Sequence, residues 1–286
     1  MCKKSIFLIF FISICLSVPA VIKRFTSGFK LAKLHLDAPC YLHVKDPALG
    51  GAFFLSEDDR FCPEIQKILS QDFTYLDRGA QCYAFLSKDQ KYVLKLFRFD
   101  QKSIFKKKKM KRSISEKATQ FFESCRLAAH SASDETGLIF LHLNLTQGEL
   151  PILHARGPLS RLFQVPLDSC RFALQKKAAP LRDVLEESCK TGDLSRRIEE
   201  IISLLERRIS KGIGNTDPSL WRNFAFLEDR AIEIDFGNYI ARPDFSKSAN
   251  ARVELERYMR PLRSWLKKNA PEMVYAFNER LEHTTL

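Results

Sequence analysis

The hydrophobic pattern changes its period partway along the chain, and that change restricts the fold more than any other feature. Between Phe73 and Arg98 the apolar residues come in short runs, Phe73 to Leu76, Cys82 to Leu86 and Tyr92 to Arg98. Asp77-Arg78-Gly79 and Ser87-Lys88-Asp89-Gln90 separate them. Short runs bounded by turn-forming residues predict three strands in an antiparallel meander. From Ser113 to Ala132 the period lengthens, with Ile114, Ala118, Phe121, Phe122, Cys125 and Ala128 on one broad helical face. Gly137 to Asn144 and Ser169 to Gln175 predict two further strands. Pro180 to Cys189 and Leu194 to Ile209 return to helical spacing, the second with Ile198, Ile201, Ile202, Leu205 and Ile209 facing inward. A small hairpin follows, Phe224 to Leu227 and Ala231 to Ile234 around Glu228-Asp229-Arg230, before helical patterns over Ser248 to Lys268 and Pro271 to Glu282. Strands first and helices afterwards predict an α+β protein of two lobes. Ahead of them, Leu34 to Leu69 is irregular apart from a short helix expected over Pro63 to Ser70.

Composition supports a packed body. With 286 residues, 45% hydrophobic and 11% aromatic, the chain has the apolar area that disordered or collagen-like sequences lack. A net charge of +12 favours phosphates, nucleic acid or anionic lipid as partners and is silent about fold. The eight cysteines form no C-x-x-C pair, and the six histidines are scattered without H-E-x-x-H, which argues against a zinc site. Disulfides become an option if the body is exported.

The first residues read as an address or an anchor. Lys3 and Lys4 precede an apolar run from Ser5 to Leu16 that ends in Ser17-Val18-Pro19-Ala20, as a secretory signal does. Counted from Ile6 to Ile22, the same stretch reaches the lower limit of a membrane span. Positive residues flank both sides, with a weak lean toward a cytoplasm-facing body if the segment stays uncleaved. A secreted or membrane-anchored protein is therefore expected. Further on, Lys106 to Arg112 (KKKKMKR) is a basic run that would suit a solvated loop or an anionic membrane. No aromatic residue interleaves it, so single-strand nucleic acid is not expected as a partner.

Chemistry-bearing residues concentrate in loops beside strands. Ile234-Asp235-Phe236-Gly237 ends an apolar strand with a carboxylate, and Asn223 lies twelve residues earlier, across the hairpin. A carboxylate and an amide oxygen so placed can converge on a hard cation such as Mg²⁺. Asp217 opens the preceding loop and could accept a proton from a hydroxyl. Lys95 sits within the apolar run Val93-Leu94-Lys95-Leu96-Phe97, where an unpaired ammonium is costly and a partner is expected. Gly79 would let backbone N–H groups approach a phosphate. The plain alternatives are a surface lysine on an edge strand and ordinary turn residues at Asp235, Asn223 and Asp217.

In order, these pieces resemble the protein-kinase-like superfamily, as a divergent, atypical or pseudokinase-like bacterial member. Leu76 to Ala84 corresponds to the phosphate-covering turn, Val93-Leu94-Lys95 to the lysine strand, Asp217 to Asn223 to the catalytic loop and Asp235-Phe236-Gly237 to the metal motif. Phe172 to Gln175 with Pro180 to Leu185 looks like the hinge and the helix after it. The resemblance implies an antiparallel N-lobe sheet over 71–178 and a mostly helical, shortened C-lobe over 179–286, preceded by the hydrophobic segment 1–22 and an extension 23–70. It implies ATP and Mg²⁺ as cofactors, with Gly79 and Lys95 on the phosphates, Glu123 holding Lys95 (Glu116 being the other acid on that helix), Asn223 and Asp235 on Mg²⁺, and Asp217 orienting an acceptor hydroxyl. The loop departs from the family in lacking His and Arg before Asp217 and in placing Asn223 six residues after it. Arg222 is then the nearest basic residue in the loop, and no A-P-E sequence follows Gly237. Two functions are expected on this footing. One is an ATP-dependent phosphotransferase acting on an unknown hydroxyl acceptor. The other is a catalytically inactive pseudokinase-like module that binds a protein partner.

Overall fold

The computed structural model describes residues 29, 34, 53–54, 63–98 and 114–284. The hydrophobic N-terminal segment, most of the extension 23–70 and the basic run Lys106 to Arg112 lie outside the described residues.

The first half is organised by one sheet. In chain order its elements are β1 (Phe53–Phe54), α1 (Pro63–Leu69), β2 (Asp72–Arg78), β3 (Cys82–Ser87), β4 (Tyr92–Phe97), α2 (Ile114–Ser131), α3 (Ser133–Thr136), β5 (Leu138–His142), β6 (Ile152–Arg156), β7 (Leu162–Pro166) and β8 (Phe172–Lys176). The eight strands lie in the order β1-β5-β8-β4-β3-β2-β6-β7. Alternation dictates the faces: along β3, Tyr83, Phe85 and Ser87 are buried while Cys82, Ala84 and Leu86 are half-buried. The β3–β4 turn is closed by Asp89, whose Oδ1 accepts from Ser87 Oγ at 2.6 Å and from the Lys91 N–H at 3.0 Å. Gln90 there takes the left-handed conformation with φ 61°. The strand pairs β2–β3 and β3–β4 are antiparallel, as the turn-bounded runs predict, and β4–β8 and β5–β8 are antiparallel as well.

The hairpin β6–β7 was not expected, and it changes the character of the sheet. β6 pairs parallel with β2, so the sheet is mixed rather than antiparallel. Pro151, Gly157, Pro158 and Pro166 interrupt this stretch, and two of its large apolar residues face solvent, Ile152 at 54% and Leu162 at 71% exposure. They obscure the short alternation that β6 carries, with Leu153 and Ala155 buried and His154 and Arg156 exposed. Under the sheet, Phe73, Tyr83, Phe85, Leu94, Leu96, Phe140 and Phe172 form an aromatic-rich core. Phe29 packs edge-on against Tyr83, Phe85 and Phe163.

The second half continues with β9 (Ala179–Pro180), α4 (Leu181–Thr191), α5 (Leu194–Ser210), β10 (Ile213–Asn215), α6 (Leu220–Asn223), β11 (Phe224–Leu227), β12 (Arg230–Glu233), β13 (Tyr239–Ala241), α7 (Ser248–Asn269) and α8 (Val274–Glu282). Gly192 at φ 82° ends α4, its N–H donating to the Ser188 carbonyl. The apolar stripe of α5 packs with Leu255, Tyr258, Met259 and Leu262 of α7 in one core. β11 lies between β12 and β9, while β10 pairs with β13. α2 lays Ala118, Phe121, Phe122, Cys125 and Ala128 against Phe97, Leu141, Phe236 and Tyr239, which ties the sheet to the loops of the second half. Among the described residues no helix is long and apolar enough to cross a membrane. Cys82, Cys125, Cys170 and Cys189 are free thiols.

Candidate functional site

A cavity of about 700 Å³ is lined by Gly79, Lys95, Asp217, Asn223 and Asp235, together with Asp77, Phe121 and Arg222 among others. Larger cavities of about 880 and 940 Å³ open elsewhere and contain none of the expected site residues. Five residues singled out in separate stretches of sequence thus share one space.

Local chemistry sets each of them. The Gly79 N–H donates to the Cys82 carbonyl at 3.0 Å, which closes the turn between β2 and β3. Lys95 lies on β4 between Ala84 of β3 and Ala173 of β8, small neighbours that leave room for a long side chain. Its Nζ donates to the Ile234 carbonyl and stands 5.7 Å from the centre of the Phe236 ring. Asp235 follows β12, with Oδ1 accepting the Gly237 N–H at 3.2 Å, while Phe236 turns inward and is buried against α2. Asn223 is buried at the end of α6 and donates from Nδ2 to the Asp217 carbonyl at 3.1 Å, which leaves Oδ1 as the acceptor of that amide. The Asp217 carboxylate is one-third exposed and 3.7 Å from Arg222 Nη2.

Gly237 is demanded by close approach. A Cβ there would stand 2.7 Å from Phe121 Cε2 and 2.8 Å from Gln81 Oε1, so the turn after β2 and the helix α2 both close on this residue. Cys82 also lines the cavity, and burial pushes its thiol up, against the opposing pull of the Lys95 charge.

The expected pairing of Glu123 with Lys95 is not made. Glu123 is exposed, and the face of α2 turned toward the cavity presents Phe121 instead. Helical phase explains the difference: Phe121 and Cys125 are four apart on the inward stripe, and Glu123 falls midway between them on the outer side. The side chain of Glu116 is outside the described residues. Among the described residues no ion pair engages Lys95 or Asp235, so the cavity holds a lysine met by a carbonyl and a carboxylate met by a backbone N–H.

Asn223 and Asp235 supply oxygens suited to a hard divalent cation, but the described residues hold no cluster of three or more His, Cys, Asp or Glu side chains for a metal. The donor set therefore fits Mg²⁺ that completes its shell with phosphate oxygens and water, which is how that ion is ordinarily held.

Asn215, Arg208, Glu233 and Glu254 lie buried below the Asp217 loop and stand out little in the sequence. The one signal was a charged residue inside an apolar strand, Ala231-Ile232-Glu233-Ile234.

No protein-family model and no curated protein matches the chain. Among solved structures it is similar to the bifunctional kinase-methyltransferase WbdD. A medium-resolution structure aligns with 12% identity and a TM-score of 0.37, over 72% of this chain and 43% of that one. A co-crystal structure of WbdD and a kinase inhibitor aligns with 13% identity and a TM-score of 0.38, over 74% and 46%. The chain spans less than half the length of the WbdD chains it matches. Likeness at this level bears no argument about chemistry, and the site rests on its own geometry.

Proposed function

We propose that this chain is a divergent kinase-like protein that binds Mg²⁺-ATP in the 700 Å³ cavity and transfers the γ-phosphoryl group to a hydroxyl acceptor. The observation that carries the reading is the convergence of Gly79, Lys95, Asp217, Asn223 and Asp235 on that one space, in the order the resemblance requires. Phosphoryl transfer asks little covalent chemistry of a protein and much positioning and charge neutralisation. Lys95 exchanges its carbonyl partner for a phosphate oxygen, a charge-assisted bond of greater strength. Asn223 and Asp235 present their oxygens to Mg²⁺, which neutralises the charge on the phosphates. Asp217 accepts the hydrogen bond of the acceptor hydroxyl, and Arg222 beside it adds a positive charge where the transferred group passes.

The second reading is a catalytically inactive kinase-like binding module. The observation in its favour is the unmade Glu123–Lys95 pair, which among the described residues leaves the lysine with the Ile234 carbonyl and the Phe236 ring as partners and no carboxylate.

Thermal unfolding of the full chain with and without Mg²⁺-ATP tests the nucleotide site. Ligand at 100-fold over Kd stabilises by about 2.7 kcal/mol, enough to raise Tm by several degrees. The shift should be larger with Mg²⁺ than in EDTA, be lost in Lys95→Ala and lose its Mg²⁺ dependence in Asp235→Ala. A folded protein with no shift would remove ATP from the account. A shift without ATP consumption, in the presence of hydroxyl acceptors, would favour the binding module.

A further inference from the structure

Among the described residues, two charged side chains with no exposed surface, Arg208 and Glu233, lie beneath the cavity. Arg208, in the last turn of α5, has no exposed surface; its Nη1 donates to Glu233 Oε2 at 2.7 Å and its Nη2 to Glu254 Oε1 at 2.8 Å. Glu254 Oε2 also meets Arg257 at 2.9 Å, and the Tyr239 hydroxyl donates to Glu233 at 3.0 Å. Ions are costly to take out of water, and a buried cluster contributes little net stability for its size. What the cluster holds in place is therefore the informative question.

It holds Asn215. The Nδ2 of this buried residue donates to Glu233 Oε1 at 2.7 Å and reaches the Asp235 carbonyl at 3.4 Å. Its Oδ1 accepts the Asp217 N–H at 2.9 Å, and its own N–H donates to Glu254 Oε1 at 3.2 Å. Its carbonyl accepts from Arg257 and, at 3.5 Å, from the Tyr258 hydroxyl, which also reaches the Asp217 carbonyl at 3.2 Å. One side-chain amide thus spans the loop that carries Asp217 and the strand end that carries Asp235. Only an amide meets both demands, because a carboxylate lacks the donor and would place a second negative charge against Glu233.

The geometry points to Asn215 as a positioning residue that fixes the separation between the acceptor-side Asp217 and the metal-side Asp235, with Arg208, Glu233 and Glu254 as its anchor. The inference rests on the kinase-like reading and assigns this regulation of geometry to residues outside the cavity. Small misplacements of reacting groups are costly in rate and in metal binding, which gives such an anchor a use.

The test is calorimetric titration of the full chain with ATP in EDTA and with ATP in Mg²⁺, for wild type, Asn215→Asp, Asn215→Ala and Tyr258→Phe, with melting curves on the same samples. Expected are an unchanged affinity in EDTA, within twofold, and a loss of at least tenfold in the enhancement by Mg²⁺ for the Asn215 variants. For Tyr258→Phe, which keeps its ring packing, the expected loss is about threefold. A role in stability alone would lower Tm and leave the enhancement intact, which overturns the inference. If the Asn215 variants do not fold, Tyr258→Phe decides, and an unchanged enhancement there counts against the proposal. Wild type that binds no ATP in either condition would instead overturn the kinase-like reading itself.

Discussion

Two buried arginines, one in each half of the molecule, are handled in opposite ways. Arg171, beside β8 in the sheet half, donates from Nε to the Leu143 carbonyl at 2.9 Å, and burial pulls its guanidinium down to about 10. Arg208, in the helical half, is buried more completely, yet the carboxylates of Glu233 and Glu254 outweigh the burial and hold it above its ordinary value. His142 and Gln175 follow the pattern of Arg171, bonding to the Cys170 carbonyl at 2.7 Å and the Thr136 carbonyl at 2.8 Å. These three buried side chains of the sheet half thus each lean on a backbone oxygen, whereas buried Glu135, on α3 beside the sheet, is paired with Lys211 at 2.8 Å. The helical half gathers ions into a network, and that network sits under the Asp217 loop. The difference teaches where buried charge is gathered: among the described residues Arg208, Glu233 and Glu254 form one network where a loop needs a fixed place, while Arg171 is buried singly.

The contrast can be broken by substitution. Arg208→Ala should be the most damaging change, because it leaves Glu233 and Glu254 buried without their cation; the expected loss is about 3–5 kcal/mol. Urea unfolding measures it, and a loss below about 1.5 kcal/mol would show that the acids find other partners. Arg171→Met keeps the bulk of the side chain and deletes one hydrogen bond to a carbonyl, so a loss of about 1–1.5 kcal/mol is expected. Equal losses for the two variants would abolish the distinction between the halves.

The smallest effect concerns pH. Burial lowers the His142 pKa, and the Arg171 charge works in the same direction, while the Cys170 carbonyl and Asp168 oppose it. A histidine whose folded pKa is depressed stays neutral in the fold. Its contribution is fully present above the unfolded value of about 6.5 and is lost as pH falls below that value toward the folded one. Melting at pH 7.5 and pH 5 should therefore show an acid-side loss of stability in wild type that His142→Phe reduces. An identical slope in the two proteins would place the titration elsewhere.

Much of the fold was legible because its elements are local. The strand runs between Phe73 and Arg98, the stripe of α5 and the Phe224 to Ile234 hairpin carry their own periodicity and turn residues, and they form within a residue or two of the expected bounds. β6 and β7 were harder to read, since their alternation is short, Leu153 and Ala155 inward against His154 and Arg156 outward, and is broken by solvent-facing Ile152 and Leu162 and by the nearby prolines. In the site, Lys95, Asp235 and Asn223 stood out as polar residues at strand ends or inside apolar runs. The resemblance implies an acid of α2 beside Lys95, but it does not fix which side of the helix Glu123 occupies, and that side is the outer one.

By itself, then, the amino-acid sequence determined the period of each segment, the turns between them and which residue types could do chemistry, because these depend on contacts a few residues apart. Tertiary structure decided which of those residues meet. Whether Lys95 faces a carboxylate or a carbonyl depends on the rotation of α2 against the sheet. Whether Asn215 reaches Asp217 and Asp235 together depends on an ion cluster drawn from α5, β12 and α7. Such contacts join residues dozens of positions apart, and their energies come from burial and geometry that exist only once the chain has packed.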